Sequence, residues 1–218
     1  MGGKTVLTRP QLALILHALA LPLAMWFIVP TLTANLGGPA GYLLTLTIYW
    51  LGFCLPVIAI HVWRQRGALF SEKLPWRDWW VPGLLLLQVG AIAIAAFVPN
   101  TTMLTTHGAM LAAGVALING PLEELAWRGG FMRVFATRPR LGFWLGWALF
   151  TAWHAPLLLS HGIVFAGGWP ALLGGAAALG LVWSWIAWRT GSVFWVTIAH
   201  VLTNILTFWL FFDGNGFV

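Results

Sequence analysis

The sequence predicts an all-α protein, a polytopic bundle of seven or eight membrane-spanning helices with one of them broken. Three observations carry this prediction. The 218 residues are 60% hydrophobic and only 7% charged, against about 25% charged in an ordinary soluble domain. Such a chain lacks a polar coat and must use lipid as solvent. Seven apolar stretches, roughly 12–32, 41–62, 80–98, 103–134, 141–159, 171–188 and 193–212, follow one another along the chain. Most match the ~20 residues a helix needs to cross the hydrocarbon core. Finally, the cations gather in alternate connections between the stretches.

The first stretch follows Lys4 and Arg9. It is too long for the ~7–15-residue core of a signal peptide and reads as a retained span. Position 6 is Val, so Gly2 does not open a myristoylation signal. The second stretch is followed by Arg64, Arg66, Lys73 and Arg77, and Trp76, Trp79 and Trp80 stand beside those charges. That composition predicts an interfacial helix over 67–80. The fourth stretch is too long for one span and contains Asn119-Gly120-Pro121. Proline suits the first turn of a new helix, so a break is predicted there, and its treatment decides between seven and eight spans. Arg133, Arg138 and Arg140 follow the fourth stretch and Arg189 follows the sixth, while connections 33–40, 99–102 and 160–168 carry no Lys or Arg. Ten of the eleven cations thus fall on one side of a seven-span arrangement. The excess of cations on one side places the N-terminus in the cytoplasm and the C-terminus outside. The net charge of +6 is read as this topology signal and not as a nucleic-acid footprint. The single cysteine, Cys54, permits neither an internal disulfide nor a cysteine-based metal cluster. No internal repeat is visible. Residues 1–218 read as a single integral membrane domain whose segment 103–213 carries the chemistry.

Arg128, Glu123 and Glu124 do not sit in a connection. An acid at the centre of a bilayer helix costs ~2.5–3.5 kcal/mol on insertion scales, so something must offset it. Glu124 and Arg128 are spaced i, i+4 and can pair on one face. Glu123 points about 100° away and has no local partner. His154 lies within the fifth stretch, and His200 and Asn204 lie one turn apart in the seventh. At ~1.5 Å per residue all four groups fall ~14–20 Å from the cytoplasmic end. Three helices therefore place costly polar groups in one slab, which favours a shared site. His17, His61, His107 and His161 are assigned to packing or to span ends.

A carboxylate beside a neutral imidazole can take a proton from water, and an amide with a second imidazole can stabilise the oxyanion formed when water attacks an amide carbonyl. No activated Ser or Cys stands near the set, which favours direct water attack. Glu plus two His is also a catalytic zinc ligand set, although the chain lacks HExxH. No cofactor is called for, and zinc at Glu123, His154 and His200 stays open as the alternative.

At these residues the sequence resembles the CAAX protease and bacteriocin-processing family. Glu123-Glu124-Leu-Ala-Trp-Arg128 is similar to its EExxxR motif, Phe150-Thr-Ala-Trp-His154 to its FxxxH motif, and His200-Val-Leu-Thr-Asn204 to its HxxxN motif. The three occur in order over roughly 120–205, and the N-terminal spans match only in general hydrophobicity. The resemblance implies a glutamate-dependent intramembrane endopeptidase. By that likeness Glu123 and His154 activate water, and His200 with Asn204 forms the oxyanion-stabilising pair. Glu124 and Arg128 orient the site, while Phe150 packs against His154. Pro156 kinks the helix just after it. The implied substrate is a membrane-embedded protein or peptide cut near its C-terminus and entering from the lipid bilayer. Short loops point to a prokaryotic cytoplasmic membrane. Two other readings stay open: a proton-coupled transporter, since intramembrane Glu and His are common in such proteins, and a non-catalytic membrane peptide-binding protein.

Overall fold

The computed structural model describes residues 6–217, apart from the side chain of Met103; Gly2 and Lys4 lie outside the described residues. Among those residues every element is helical. The rods are α1 (Arg9–Leu36), α2 (Gly38–Leu69), α3 (Trp76–Thr102), α4 (Thr106–Val134), α5 (Pro139–Trp153), α6 (Gly168–Thr190) and α7 (Phe194–Gly214). All but α5 are long and apolar enough to cross a membrane by length and composition. α5 is continued by a 3₁₀ segment, Ala155–Leu159, so the fifth predicted stretch exists as two joined pieces.

Local chemistry sets these elements. Thr8 and Gln11 form a reciprocal cap at the start of α1, satisfying amide groups that a helix N-terminus leaves bare. In α2, Pro56 has no N–H to offer the carbonyl four residues back, that of Gly52. The π-helical turns Trp50–Cys54 and Ile58–Val62 flank this point. His17 Nε2 on α1 donates to Gly52 O at 2.8 Å, which makes His17 a packing residue with a defined backbone task.

The break predicted at Asn119-Gly120-Pro121 is absent. α4 stays helical through Pro121; proline is tolerated inside membrane-spanning helices. The irregularity comes later, as a π-helical turn over Glu124–Gly129. The fourth stretch is therefore one rod, which removes the eighth span; six of the rods are long and apolar enough to cross a membrane. The interfacial helix predicted over 67–80 is also absent. α2 ends at Leu69, and only a short 3₁₀ turn, Trp76–Asp78, precedes Val81. Hydrogen bonds to the start of α7 hold this connection: Ser192 Oγ donates to Leu69 O and Ser71 O, and Trp195 Nε1 donates to Glu72 O. Trp76 and Trp79 remain exposed, as interface anchors are.

Hydrogen bonds also sort the connections into two ends. Arg138 Nη2 donates to Val6 O and Gln11 Nε2 to Val134 O. Arg189 pairs with Asp78. At the opposite end His161 N donates to Thr33 Oγ1, Val164 N to Asn215 Oδ1, and Thr105 N to Asp213 Oδ2. The cation-bearing connections thus share one end of the bundle. α4 and α7 make the most extensive contact, α1 lies along α2, α5 lies along α6, and α3 reaches the bundle chiefly through α7. Between lipid-embedded helices such contacts rest on van der Waals packing and interhelical hydrogen bonds.

Candidate active site

The site forms where α4 crosses α7. Gly120 sets the approach: a Cβ there would lie 2.7 Å from Val201 Cγ2 and 3.3 Å from Val201 N. Only a bare backbone lets α7 come this close, in the manner of small residues at membrane helix contacts. The same contact is pinned at the far end, where the Asp213 carboxylate accepts from Thr105 N and Thr105 Oγ1, both at 2.8 Å. One turn beyond Gly120 the two glutamates meet the residue that precedes Val201.

That residue is His200. Its Nδ1 lies 2.7 Å from Glu124 Oε1 and its Nε2 lies 3.3 Å from Glu123 Oε2. Neighbouring helical side chains diverge by about 100°, yet one imidazole with nitrogens on opposite edges spans both. Glu123, predicted to lack a local partner, therefore finds one across the helix contact. The π-helical turn begins at this pair, and such turns occur frequently at functional sites.

Glu124 also pairs with Arg128, Nη1 to Oε1 at 3.0 Å, as the i, i+4 spacing predicts. Arg128 Nε donates to Ser184 Oγ and Nη2 to Gly180 O, both at 3.3 Å. Its guanidinium carbon lies 4.0 Å from the centroid of the Phe150 ring. A Cβ on Gly180 would stand 2.9 Å from Phe150 Cδ1, so glycine at 180 makes room for this stack. Glu124 and Arg128 are both buried; Ser184 and Gly180 meet the other guanidinium donors, which offsets part of the cost of burying the charges.

His154 approaches from α5. There the helix tightens, and His154 N bonds to Thr151 O instead of Phe150 O. The freed Phe150 carbonyl accepts from His154 Nδ1 at 2.8 Å. With its hydrogen on Nδ1, a neutral imidazole leaves Nε2 as an open acceptor. Phe150 also packs edge-on against the His154 ring, with centroids 4.9 Å apart, so it bridges His154 and Arg128. No hydrogen bond or ion pair joins the His154 ring to Glu123, His200 or Arg128, and Phe150 is the side chain between it and Arg128. Asn204, one turn after His200, is buried, and its Nδ2 has no hydrogen-bond partner. Trp153 Nε1 and Glu124 Oε2 are likewise buried without partners. The predicted residues are thus distributed as a tight Glu123–His200–Glu124–Arg128 cluster, with His154 and Asn204 nearby but not bonded to it.

Among the described residues no group of three His, Cys, Asp or Glu side chains is arranged to hold a metal ion. The donor set considered for zinc, Glu123, His154 and His200, does not fit one as it stands.

Other residues complete the surroundings. Tyr49 on α2 accepts from Trp127 Nε1 at 2.7 Å and stacks on Trp153 at 3.9 Å between centroids. Trp50 Nε1 donates to Asn119 Oδ1 at 2.8 Å. On the other side Trp183 lies against His200, ring centroids 4.4 Å apart, and Gln88 bonds to Trp183 and Thr203. Of these, Gln88 carries a signal legible in sequence, since it is the lone polar side chain between Trp80 and Asn100.

Residues 105–206 match the family model described as Rce1-like, type II CAAX prenyl endopeptidase. Neither a curated protein nor a solved structure matches the chain. The matched segment holds Glu123, Glu124, Arg128, Phe150, His154, His200 and Asn204, the side chains just described. Over that segment this integral membrane protein is similar to the Rce1-like CAAX protease family.

Proposed function

We propose that the protein is an intramembrane endopeptidase that hydrolyses a peptide bond in a membrane-associated protein or peptide, near its C-terminus, with Glu123 as the base for attacking water. The observation that carries this reading is the clamp on His200 between Glu123 and Glu124, with an unpartnered Asn204 amide one turn away. Glu124, held by Arg128, fixes the ring through Nδ1, and the Nε2 edge then faces Glu123 and the space in which water and substrate meet. A fixed donor serves a developing oxyanion better than a mobile one, because no reorganisation is needed as charge forms.

In the proposed reaction the water oxygen adds to the scissile carbonyl carbon while its proton passes to Glu123. His154 Nε2 accepts a hydrogen bond from the same water and aligns it. His200 and the Asn204 Nδ2 group donate to the oxyanion. Collapse of the tetrahedral species breaks the C–N bond, and the proton on Glu123 passes to the departing amine. The products are a carboxylic acid and an amine, and the side chains return to their starting state. No step is routed through a metal. The substrate segment reaches the site laterally from the bilayer, and the cation-bearing end of the bundle faces the cytoplasm.

The test is mass spectrometry of candidate membrane peptides incubated with wild type in ¹⁸O-labelled water, with His154→Ala alongside. A product carrying one ¹⁸O at its new C-terminus, formed by wild type and lost in His154→Ala, supports the reading. Equal product from both, or none from wild type across the peptide set, counts against it.

A further inference from the structure

Gln88 lies on α3, outside the segment that matches the family model, and no step of the proposed reaction uses it. An amide in the middle of an apolar span is costly unless both its ends are bonded. Here both are. Oε1 accepts from Trp183 Nε1 at 3.2 Å, and Nε2 donates to Thr203 Oγ1 at 3.1 Å. One side chain therefore ties α3 to α6 and to α7 at once. Trp183 is 2% exposed. Its indole is the ring against the His200 imidazole, tilted 33° to it with centroids 4.4 Å apart. Thr203 is buried, three residues beyond His200 and immediately before Asn204. Gln88 thus holds both the ring packed on one catalytic candidate and the residue beside the other.

We infer that Gln88 is a positioning residue: its amide fixes the Trp183 indole against His200, and so sets the angle at which the imidazole meets Glu123. The carboxylates constrain the two nitrogens of His200 but leave the ring free to rock about the line joining them. A face-packed indole removes that freedom, and an indole whose own N–H is bonded cannot slide along the helix. α3 is the least enclosed of the long helices, and its polar link to the His200 region runs through this one amide. The docking of α3 is thereby coupled to the geometry of the imidazole.

The clamp exists in the structure whatever the reaction, while its catalytic consequence rests on the proposed peptidase reading. The experiment therefore reads both. The full chain in detergent or nanodiscs is labelled at histidine, and the His200 ring signals are assigned by their loss in His200→Gln. Gln88→Met keeps the bulk and removes the amide. Trp183→Phe keeps an aromatic ring, removes the indole N–H, and carries the test where Gln88→Met misfolds. The ring protons of His200 in wild type are expected upfield, under the indole face, and to move downfield and broaden in both variants. Cleavage is expected to fall on the order of tenfold in kcat with KM within about twofold, as for a misaligned rather than a missing group. His200 signals and kcat unchanged in a folded variant overturn the inference. A wild type that cleaves no peptide sinks the peptidase reading, and the ring signals still decide the clamp.

Discussion

Two buried carboxylates, Asp78 at the cation-bearing end and Glu124 in the crossing of α4 and α7, face the same physical problem and solve it differently. Both side chains are 0% exposed, and each pairs with an arginine. Each also has one oxygen without a hydrogen-bond partner. Asp78 is served by Arg189 and Arg77, whose side chains are 38% and 66% exposed. Those side chains keep access to solvent, as snorkelling arginines do. Glu124 is served by Arg128, which is 2% exposed. Its charge is met instead by Ser184, the Gly180 carbonyl, the Phe150 ring and His200 beyond the carboxylate. The carboxylate at the membrane edge is met by arginines with access to water. In the interior the carboxylate and its arginine are met by groups drawn from α4, α5, α6 and α7. The first arrangement fastens a connection, and the second holds the proposed catalytic groups in fixed geometry.

The contrast sets an order of effects. Arg128→Ala leaves Glu124 enclosed without a cation and is expected to cost about 3–5 kcal/mol, seen as loss of folded, monodisperse protein on detergent size exclusion. Arg128→Lys should rescue only in part, because a point charge cannot reach Glu124, Ser184 and Gly180 together as a fork does. Full thermal stability in Arg128→Ala would remove the distinction between the two carboxylates. Gly120→Leu comes next. Its side chain meets Val201 and overpacks the crossing, at about 1–3 kcal/mol, and cleavage should fall even where the variant folds. Arg189→Ala is expected to cost only ~1 kcal/mol, since its head group is partly in water. That cost should shrink in molar salt, while the Arg128 effect should not. Equal salt sensitivity of the two would contradict the contrast. His17→Ala, which strips Gly52 O of its donor, is expected to lower stability by about 1 kcal/mol and to leave cleavage per folded molecule unchanged.

The bundle itself was legible, because composition reports directly on lipid burial, and the alternation of cations matches connections that share one end of the bundle. So was the Glu124–Arg128 pair, since i, i+4 geometry is local. The Glu123–His200 contact was legible only as an agreement in depth. Its geometry depends on Gly120 admitting Val201, a register between two helices that neither helix encodes alone. Pro121 misled, because the rule that proline ends helices is drawn from chains in water, and proline is tolerated inside membrane-spanning helices, as α4 shows. The stretch 67–80 misled for a related reason: its amphipathic composition matches an interfacial helix, but hydrogen bonds to Ser192 and Trp195 hold it as an irregular connection. Gln88 was passed over because it carries no charge, although a single amide in an apolar span is itself a sign of polar partners on neighbouring helices.

The central claim is that the interior cluster reacts while the edge cluster only fastens. It is tested most directly by measuring cleavage and thermal stability for Glu123→Gln and Asp78→Asn side by side. The account predicts that Glu123→Gln melts like wild type and forms no product, whereas Asp78→Asn melts earlier yet cleaves normally per folded molecule. Product formed by Glu123→Gln at the wild-type rate would contradict it.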